Sequence, residues 1–189
     1  MVFSATPVGQ ADAQLFSIYT VRRIKAQGTG SIITFSNQQP SVSVTETPTA
    51  IFDQQNAGSN KSVGMLLLTE NKTGDKIIIP THVVKEIVAY TFPAIDPDPA
   101  VVGAKVNLIA DDQTQFVNES LATIIGWQDP QVLGLILVTR ASDSKKFILG
   151  RTQIERIVKE GSGAKIFRMA GLKPLVVTES VATIFAAIP

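Results

Sequence analysis

Internal self-similarity constrains this chain more than any other feature of its sequence. Three gapless 23-residue segments align with one another: Gly30 to Phe52, Gly103 to Ile125 and Gly163 to Phe185. Each keeps a leading glycine, a valine two residues before a glutamate, and an isoleucine five residues after it: Val44, Glu46, Ile51; Val117, Glu119, Ile124; Val177, Glu179, Ile184. Between these copies lie two segments of a second kind, Val63 to Val88 and Leu133 to Val158, aligned without a gap at an offset of 70 residues. The chain therefore reads first, second, first, second, first. A supersecondary unit that recurs in this way buries its apolar face by packing on its own kind, which predicts two complete units and one unaccompanied half.

Each half reads as a β-hairpin. In the first kind, alternating apolar positions (Ile33 and Phe35; Val106 and Leu108; Ile166) lead through a polar turn into a second β-branched run that ends in Ala-Thr-Ile. In the second kind, Val63 to Leu68 or Leu133 to Val138 meets a turn and then Lys76-Ile77-Ile78-Ile79 or Lys146-Phe147-Ile148-Leu149. A short helical turn follows Pro80 or Gly150, and then a last strand, Lys85 to Ala89 or Glu155 to Lys159. Five short strands with one tight turn between the last two suit a small closed barrel, because closure removes exposed strand edges. The predicted class is all-β, divided into an N-terminal arm (1–29), a first barrel (30–92), a Pro-rich linker (93–102), a second barrel (103–160) and an extra C-terminal β-hairpin (161–189).

This succession of strand, turn, strand, Ile-Ile-Ile-Pro or Phe-Ile-Leu-Gly, one helical turn, then Glu-Ile-Val or Arg-Ile-Val resembles the second half of SH3-like small β-barrels. The resemblance implies two tandem barrels over most of residues 30–160. It carries over no ligand groove, since aromatic residues make up 6% of the chain and Trp127 is the sole tryptophan. A circularly shifted allotment, in which the third first-kind copy completes a different unit, fits the same pattern.

The ends point outward. The third first-kind copy has no second-kind partner after it, and Ser180 to Pro189 holds no charged side chain but includes Val181, Ile184, Phe185 and Ile188. Such apolar area costs about 25 cal/mol per Å² to leave in water. Either it folds back on its own barrel or it joins a neighbouring subunit by strand addition. Residues 1–29 match no copy; Ala13 to Ala26 reads equally as a helix capped by Asp12 or as an arm strand, with Phe16 and Tyr19 as contact residues. Arg22, Arg23 and Lys25 form a basic cluster on this arm, a candidate contact for nucleic acid or an acidic partner.

Composition narrows the chemistry. There is no cysteine, and His82 is the only histidine, which excludes thiolate chemistry, disulfides and the usual zinc ligand sets. His82 follows Pro80 in a tight turn where its counterpart is Thr152, so the fold does not require imidazole there. Gly28-Thr29-Gly30 lacks the lysine and helix of a phosphate loop. Asp96, Asp98, Asp111 and Asp112 match no cation-loop spacing. The recurrence of Glu46, Glu119 and Glu179 marks a structural role rather than one active site. The sequons at Asn60, Asn71 and Asn118 read as chance in a chain with no secretory signal segment. No catalytic, cofactor-binding or metal-binding residue is predicted, and no small-molecule substrate.

The net charge is +1 with only 17% charged residues, so no overall field steers a phosphate backbone or an anionic membrane to the protein. A weakly charged surface suits one that is covered in use. In composition and layout the chain resembles structural proteins of tailed-phage particles, such as capsid decoration, head–tail connector or tail components. The expected function is a self-associating structural module whose partners are itself and other subunits of an assembly. The expected location is the virion, or otherwise the cytoplasm, without a membrane. The rival expectation is a nucleic-acid-binding protein with tandem SH3-like barrels and a basic stripe of Arg22, Arg23, Lys25, Lys145, Lys146, Arg151 and Arg156.

Overall fold

A computed structural model describes residues 2–56, 64–93, 100–109, 114–126, 134–169 and 172–188. The chain is mostly antiparallel β-sheet, and one order of elements occurs three times: a hairpin, a 3₁₀ turn, three strands and a short helix. The first occurrence is β1 (Val2–Ala5), β2 (Gln14–Ser17), the turn Ile18–Thr20, β3 (Val21–Gln27), β4 (Gly30–Phe35), β5 (Val42–Val44) and α1 (Pro48–Asn56). The second is β6 (Met65–Thr69), β7 (Lys76–Pro80), the turn Thr81–Val83, β8 (Val84–Phe92), β9 (Val101–Leu108), β10 (Thr114–Val117) and α2 (Leu121–Gly126). The third is β11 (Leu135–Thr139), β12 (Lys146–Gly150), the turn Arg151–Gln153, β13 (Ile154–Glu160), β14 (Gly163–Arg168), β15 (Leu175–Val177) and α3 (Val181–Ala186).

Residues 1–29 are therefore not an arm without a counterpart. The pair Val2↔Ser17 stands where Met65↔Pro80 stands in the next repeat, and every pair of the β1–β2 hairpin follows at the same offset. Thr6, Asp12, Val21, Ile24 and Ala26 fall on Thr69, Asp75, Val84, Ile87 and Ala89, too few identities for the sequence to betray the copy. The expected boundary at 29/30 runs through the β3–β4 hairpin, where Gln27 pairs with Gly30. The C-terminal half is likewise accompanied, because β14 pairs with β13 as well as with β15.

The Ala-Thr-Ile runs, expected to be strands, are helical. Thr47 Oγ1, Ser120 Oγ and Ser180 Oγ accept hydrogen bonds from the backbone N–H of Ala50, Thr123 and Thr183 at 3.2, 3.0 and 3.1 Å. Capping of this kind satisfies donors that a helix start otherwise strands. It also turns the chain inward, so that Ile51, Ile124 and Ile184 are buried.

Three apolar cores accompany the repeats, and each of the first two borrows residues from its successor. The first gathers Phe3, Phe16, Val21, Ile24, Ile33, Val44 and Ile51 with Met65 and Ile78 of the second repeat. Another gathers Leu66, Ile79, Val84, Ile87, Val106, Val117 and Ile124 with Leu135 and Ile148 of the third. The last gathers Ile136, Leu149, Ile166, Val177 and Ile184. Sheets straddle the repeats in the same way, with strand orders β5-β4-β3-β7-β6 and β10-β9-β8-β12-β11, while β13-β14-β15 and β1-β2 stand as smaller sheets. None of these sheets closes on itself. Within each repeat, backbone hydrogen bonds nevertheless tie the end of the first strand to the fifth: Thr45 N–H to Thr6 O, Asn118 N–H to Thr69 O and Thr178 N–H to Thr139 O, at 3.0, 2.9 and 2.9 Å.

The repeated glycine and glutamate now have physical causes. A Cβ on Gly30, Gly103 or Gly163 would stand 2.1, 2.3 or 2.0 Å from the carbonyl oxygen of Val44, Val117 or Val177, so only glycine permits that close crossing of strands. The carboxylates of Glu46, Glu119 and Glu179 accept the backbone N–H of Thr6, Thr69 and Thr139 at 2.8, 2.9 and 2.9 Å. Each joins the fifth strand's end to the first strand. Burial opposes ionisation of Glu46, but the hydrogen bonds from Thr6, from its own backbone and from Thr45 together outweigh it and hold its pKa below the usual carboxylate value.

Candidate functional site

Two inner junctions link successive repeats, and they share one register. At the first, Ile24 of β3 faces Ile78 of β7 and Lys25 faces Ile77. At the second, Ile87 of β8 faces Ile148 of β12, with Val88 opposite Phe147 and Glu86 opposite Leu149. Ile24, Ile78, Ile87 and Ile148 are all buried.

The 3₁₀ turns touch in the same sequence. His82 forms a hydrogen bond with the Tyr19 backbone, and its ring lies 5.9 Å from that of Tyr19. Thr152, at the matching position of the third turn, donates its hydroxyl to the His82 carbonyl at 3.2 Å. Thus the central side chain of each later turn reaches the backbone of the turn before it. Burial lowers the His82 pKa, the Tyr19 bond opposing the shift, and Nε2 is buried without a hydrogen-bond partner. The neutral imidazole is the favoured form. Ion pairs also cross the junctions: Lys25 Nζ to Glu70 Oε2 at 2.7 Å, and Arg168 Nη1 to Glu86 Oε2 at 3.0 Å.

The two outer edges that match these junctions are uncovered among the described residues. No strand there pairs with β2 on the side away from β1, or with β13 on the side away from β14. Leu15, which occupies the place of Ile78 and Ile148, is 73% exposed. Tyr19, which occupies that of His82 and Thr152, is 67% exposed. On β13, Ile154 and Ile157 hold the places of the buried pairs Val21 and Ile24, or Val84 and Ile87, yet are only partly buried. Phe185 of α3 is 72% exposed, whereas its counterparts Phe52 and Ile125 pack against their cores.

The sequence-predicted contact residues divide accordingly. The side chains of Phe16 and Ile184 are buried in the first and third cores and offer no apolar surface to a partner, because the apolar positions that looked unaccompanied are packed within the chain itself. Val181 and Ile188 lie half-buried against the third core. Tyr19 and Phe185 remain outward-facing, at opposite ends of the repeat series. Leu15, Ile154 and Ile157 were missed by sequence reasoning; the signal that finds them is their position within a threefold repeat, which needed the first copy to be recognised.

The basic cluster is largely engaged. Lys25 pairs with Glu70, and Arg23 is half-buried, its pKa lowered first by burial and then by Arg22. Arg22 is also half-buried. Of the remaining stripe, the Arg156 guanidinium stacks over Phe167 at 4.2 Å, Lys145 lies 3.8 Å from Asp143, and Lys146 and Arg151 are exposed.

A second feature belongs to the middle repeat alone. Its β8–β9 hairpin runs past the point where the others turn, and Tyr90 and Phe92 meet Phe116 of β10 with ring centroids 5.0 and 6.0 Å apart. These rings, with Glu70, Asn71, Lys72, Thr114 and Gln115, line an open cleft of about 390 Å³. The counterparts of Tyr90 are Gln27 and Glu160, and those of Phe116 are Ser43 and Val176, so the cluster is not part of the repeat. Few aromatics are present, and only the strand register brings these three together.

Among the described residues no group of His, Cys, Asp and Glu side chains is arranged to hold a metal ion, and no helix is long and apolar enough to cross a membrane. Asp96, Asp98, Asp111, Asp112, Asn60 and Trp127 lie outside the described residues. Asn71 and Asn118, both in sequons, are hydrogen-bonded to each other at 2.8 Å. Comparison with protein-family models, curated proteins and solved structures returns no match.

Proposed function

We propose that this chain is a non-enzymatic structural protein that packs in a symmetric assembly of its own copies and other subunits. The observation that carries this reading is the contrast between inner and outer edges. Strand edges are aggregation hazards unless covered or blunted, and here the first repeat leaves Leu15 exposed and the third leaves Ile154 and Ile157 only partly buried, at positions whose counterparts inside the chain are buried. The near-neutral charge agrees with surfaces that are covered in use. The division that fits the packing is three units, at 2–56, 64–126 and 134–188, rather than two barrels and two ends. A strand cycle in which a 3₁₀ turn connects the second and third strands, and the fifth bonds back to the first, supports the SH3-like resemblance in its circularly shifted form. The assignment to a tailed-phage particle, as decoration, connector or tail subunit, rests on composition and layout.

Light scattering of the purified chain over a hundredfold range of concentration tests the reading. Masses above the 20.2 kDa of one chain, rising with concentration, are expected. A constant single-chain mass, unchanged on adding salts that strengthen apolar association, overturns self-assembly.

A further inference from the structure

Resting on that reading, we infer that the outer edge of β2 is the docking site for the outer edge of β13 of a second copy, in the register of the two inner junctions. Leu15 of one copy then faces Ile157 of the next, Gln14 faces Val158, and Phe16 faces Arg156.

The occupant follows from the chain's own interior. Twice within the molecule a hairpin of this type lies along a strand of the β3 type, each time with the same pairs opposed. Each time the incoming hairpin places residues in the preceding repeat's core: Met65 and Ile78 at the first junction, Leu135 and Ile148 at the second. The third repeat's core receives no such residues, and its Ile154 and Ile157 stay partly exposed. The first repeat has a hairpin of the same type that lies along no strand of the β3 type among the described residues, and Leu15 stands out from it. The two faces are the halves of one junction.

Side-chain chemistry agrees. Tyr19 would reach the Thr152 backbone as His82 reaches that of Tyr19 and Thr152 that of His82, continuing a series already present in two steps. The inner ion pairs have no clashing equivalent: the Lys25–Glu70 position is occupied by Val158 and Pro7, and the Glu86–Arg168 position by Arg156 and Phe35. Charges on β13 do not forbid pairing, since Arg22, Arg23, Lys85 and Glu86 stand at the same places on the paired strands β3 and β8.

Such a contact joins unlike faces, so it is heterologous and produces a ring or a filament according to whether the rotation between copies closes. An isologous alternative, β2 on β2 or β13 on β13, would bring like faces together and has no precedent inside the chain.

The absence of cysteine makes disulfide trapping a direct test, since directly opposed strand residues stand within bridging reach. Leu15→Cys and Ile157→Cys are made as separate variants, purified reduced and oxidised alone and as an equal mixture, with Gln14→Cys and Val158→Cys as a second pair. Folding is checked by circular dichroism. The mixture is expected to give a covalent heterodimer, each variant alone none, and the double variant a ladder of multimers. Homodimers from a single variant would overturn the head-to-tail register while leaving self-assembly standing. So would absence of any covalent product from a chain whose scattering mass exceeds one copy, since other surfaces would then mediate association. No covalent product together with a single-chain mass overturns both readings.

Discussion

The inner junctions and the outer edges of this molecule are made of the same elements in different company. Ile78 and Ile148 sit on hairpins that lie against a preceding repeat and are buried, while Leu15 sits on the same hairpin at the same position and is 73% exposed. Ile24 and Ile87 are covered by a following repeat, whereas Ile157 is covered only in part. Local sequence does not explain the contrast, because all six positions are aliphatic. What differs is whether, among the described residues, a neighbouring repeat lies alongside. In repeat proteins stability is the sum of what each unit contributes and what each interface contributes, and the interface share is what the two ends lack.

The largest expected effect separates the two classes of position. Ile87→Ala should destabilise the chain by about 2–5 kcal/mol, as for a core aliphatic in a packed site. Leu15→Ala, measured in dilute solution where only single chains are present, should stay within about 0.5 kcal/mol. Urea denaturation checks both, and equal losses would erase the distinction. Repeating the Leu15→Ala measurement at high concentration sharpens it, because a residue buried by association gains a cost that depends on concentration.

Next in size are the contacts internal to each repeat, which should not differ between ends and middle. Alanine at Glu46, Glu119 or Glu179 removes a carboxylate that accepts a backbone N–H, a loss of roughly 1.5–3 kcal/mol, and the three variants should suffer alike. Alanine at Gly103 places a Cβ 2.3 Å from the Val117 carbonyl oxygen and should cost about 1–3 kcal/mol. Thermal melting of the four variants measures these effects; a markedly smaller loss at Glu179 would show that the third repeat is organised differently.

A smaller effect is read from pH. The folded pKa of His82 lies below its ordinary value of 6.5, so the unfolded chain binds the proton more readily. Stability present above about 6.5 is therefore lost as pH falls toward the folded pKa. Glu46 and Glu70, also depressed from 4.5, lose their contribution as pH falls below that value through their folded pKa values. Two acid windows are expected in melting temperature, and His82→Thr, which installs the residue found at the matching turn, should abolish the upper one only. No change in the upper window on substitution would remove His82 from the account.

Much of the architecture was legible in the chain itself. The recurrence of Gly30, Gly103 and Gly163 with Glu46, Glu119 and Glu179 marked homologous strands, and period-two apolar runs marked them as β. Both residue types survive in every copy because backbone geometry demands them: one permits a close crossing, the other satisfies an N–H. The hairpin of residues 2–17 was not legible, because aliphatic and aromatic residues exchange freely in a core of suitable volume and Phe3 and Phe16 do the work of Leu66 and Ile79. The helical ends were misread because Ala-Thr-Ile has strand-like composition, and only a Ser or Thr cap bonding the backbone N–H three residues on turns it into a helix.

By itself, then, the sequence determined that the chain is β-rich, repetitive, weakly charged and without cysteine, since these properties reside in single residues and their spacing. It took the packing of the strands to show that the order of elements occurs three times rather than two and a half, and that Phe16 and Ile184 face inward while Leu15, Tyr19 and Phe185 face outward. The physical reason is that a strand carries its pattern of sides in its sequence, whereas which strand lies along its edge is settled by backbone hydrogen bonds that every residue but proline can make.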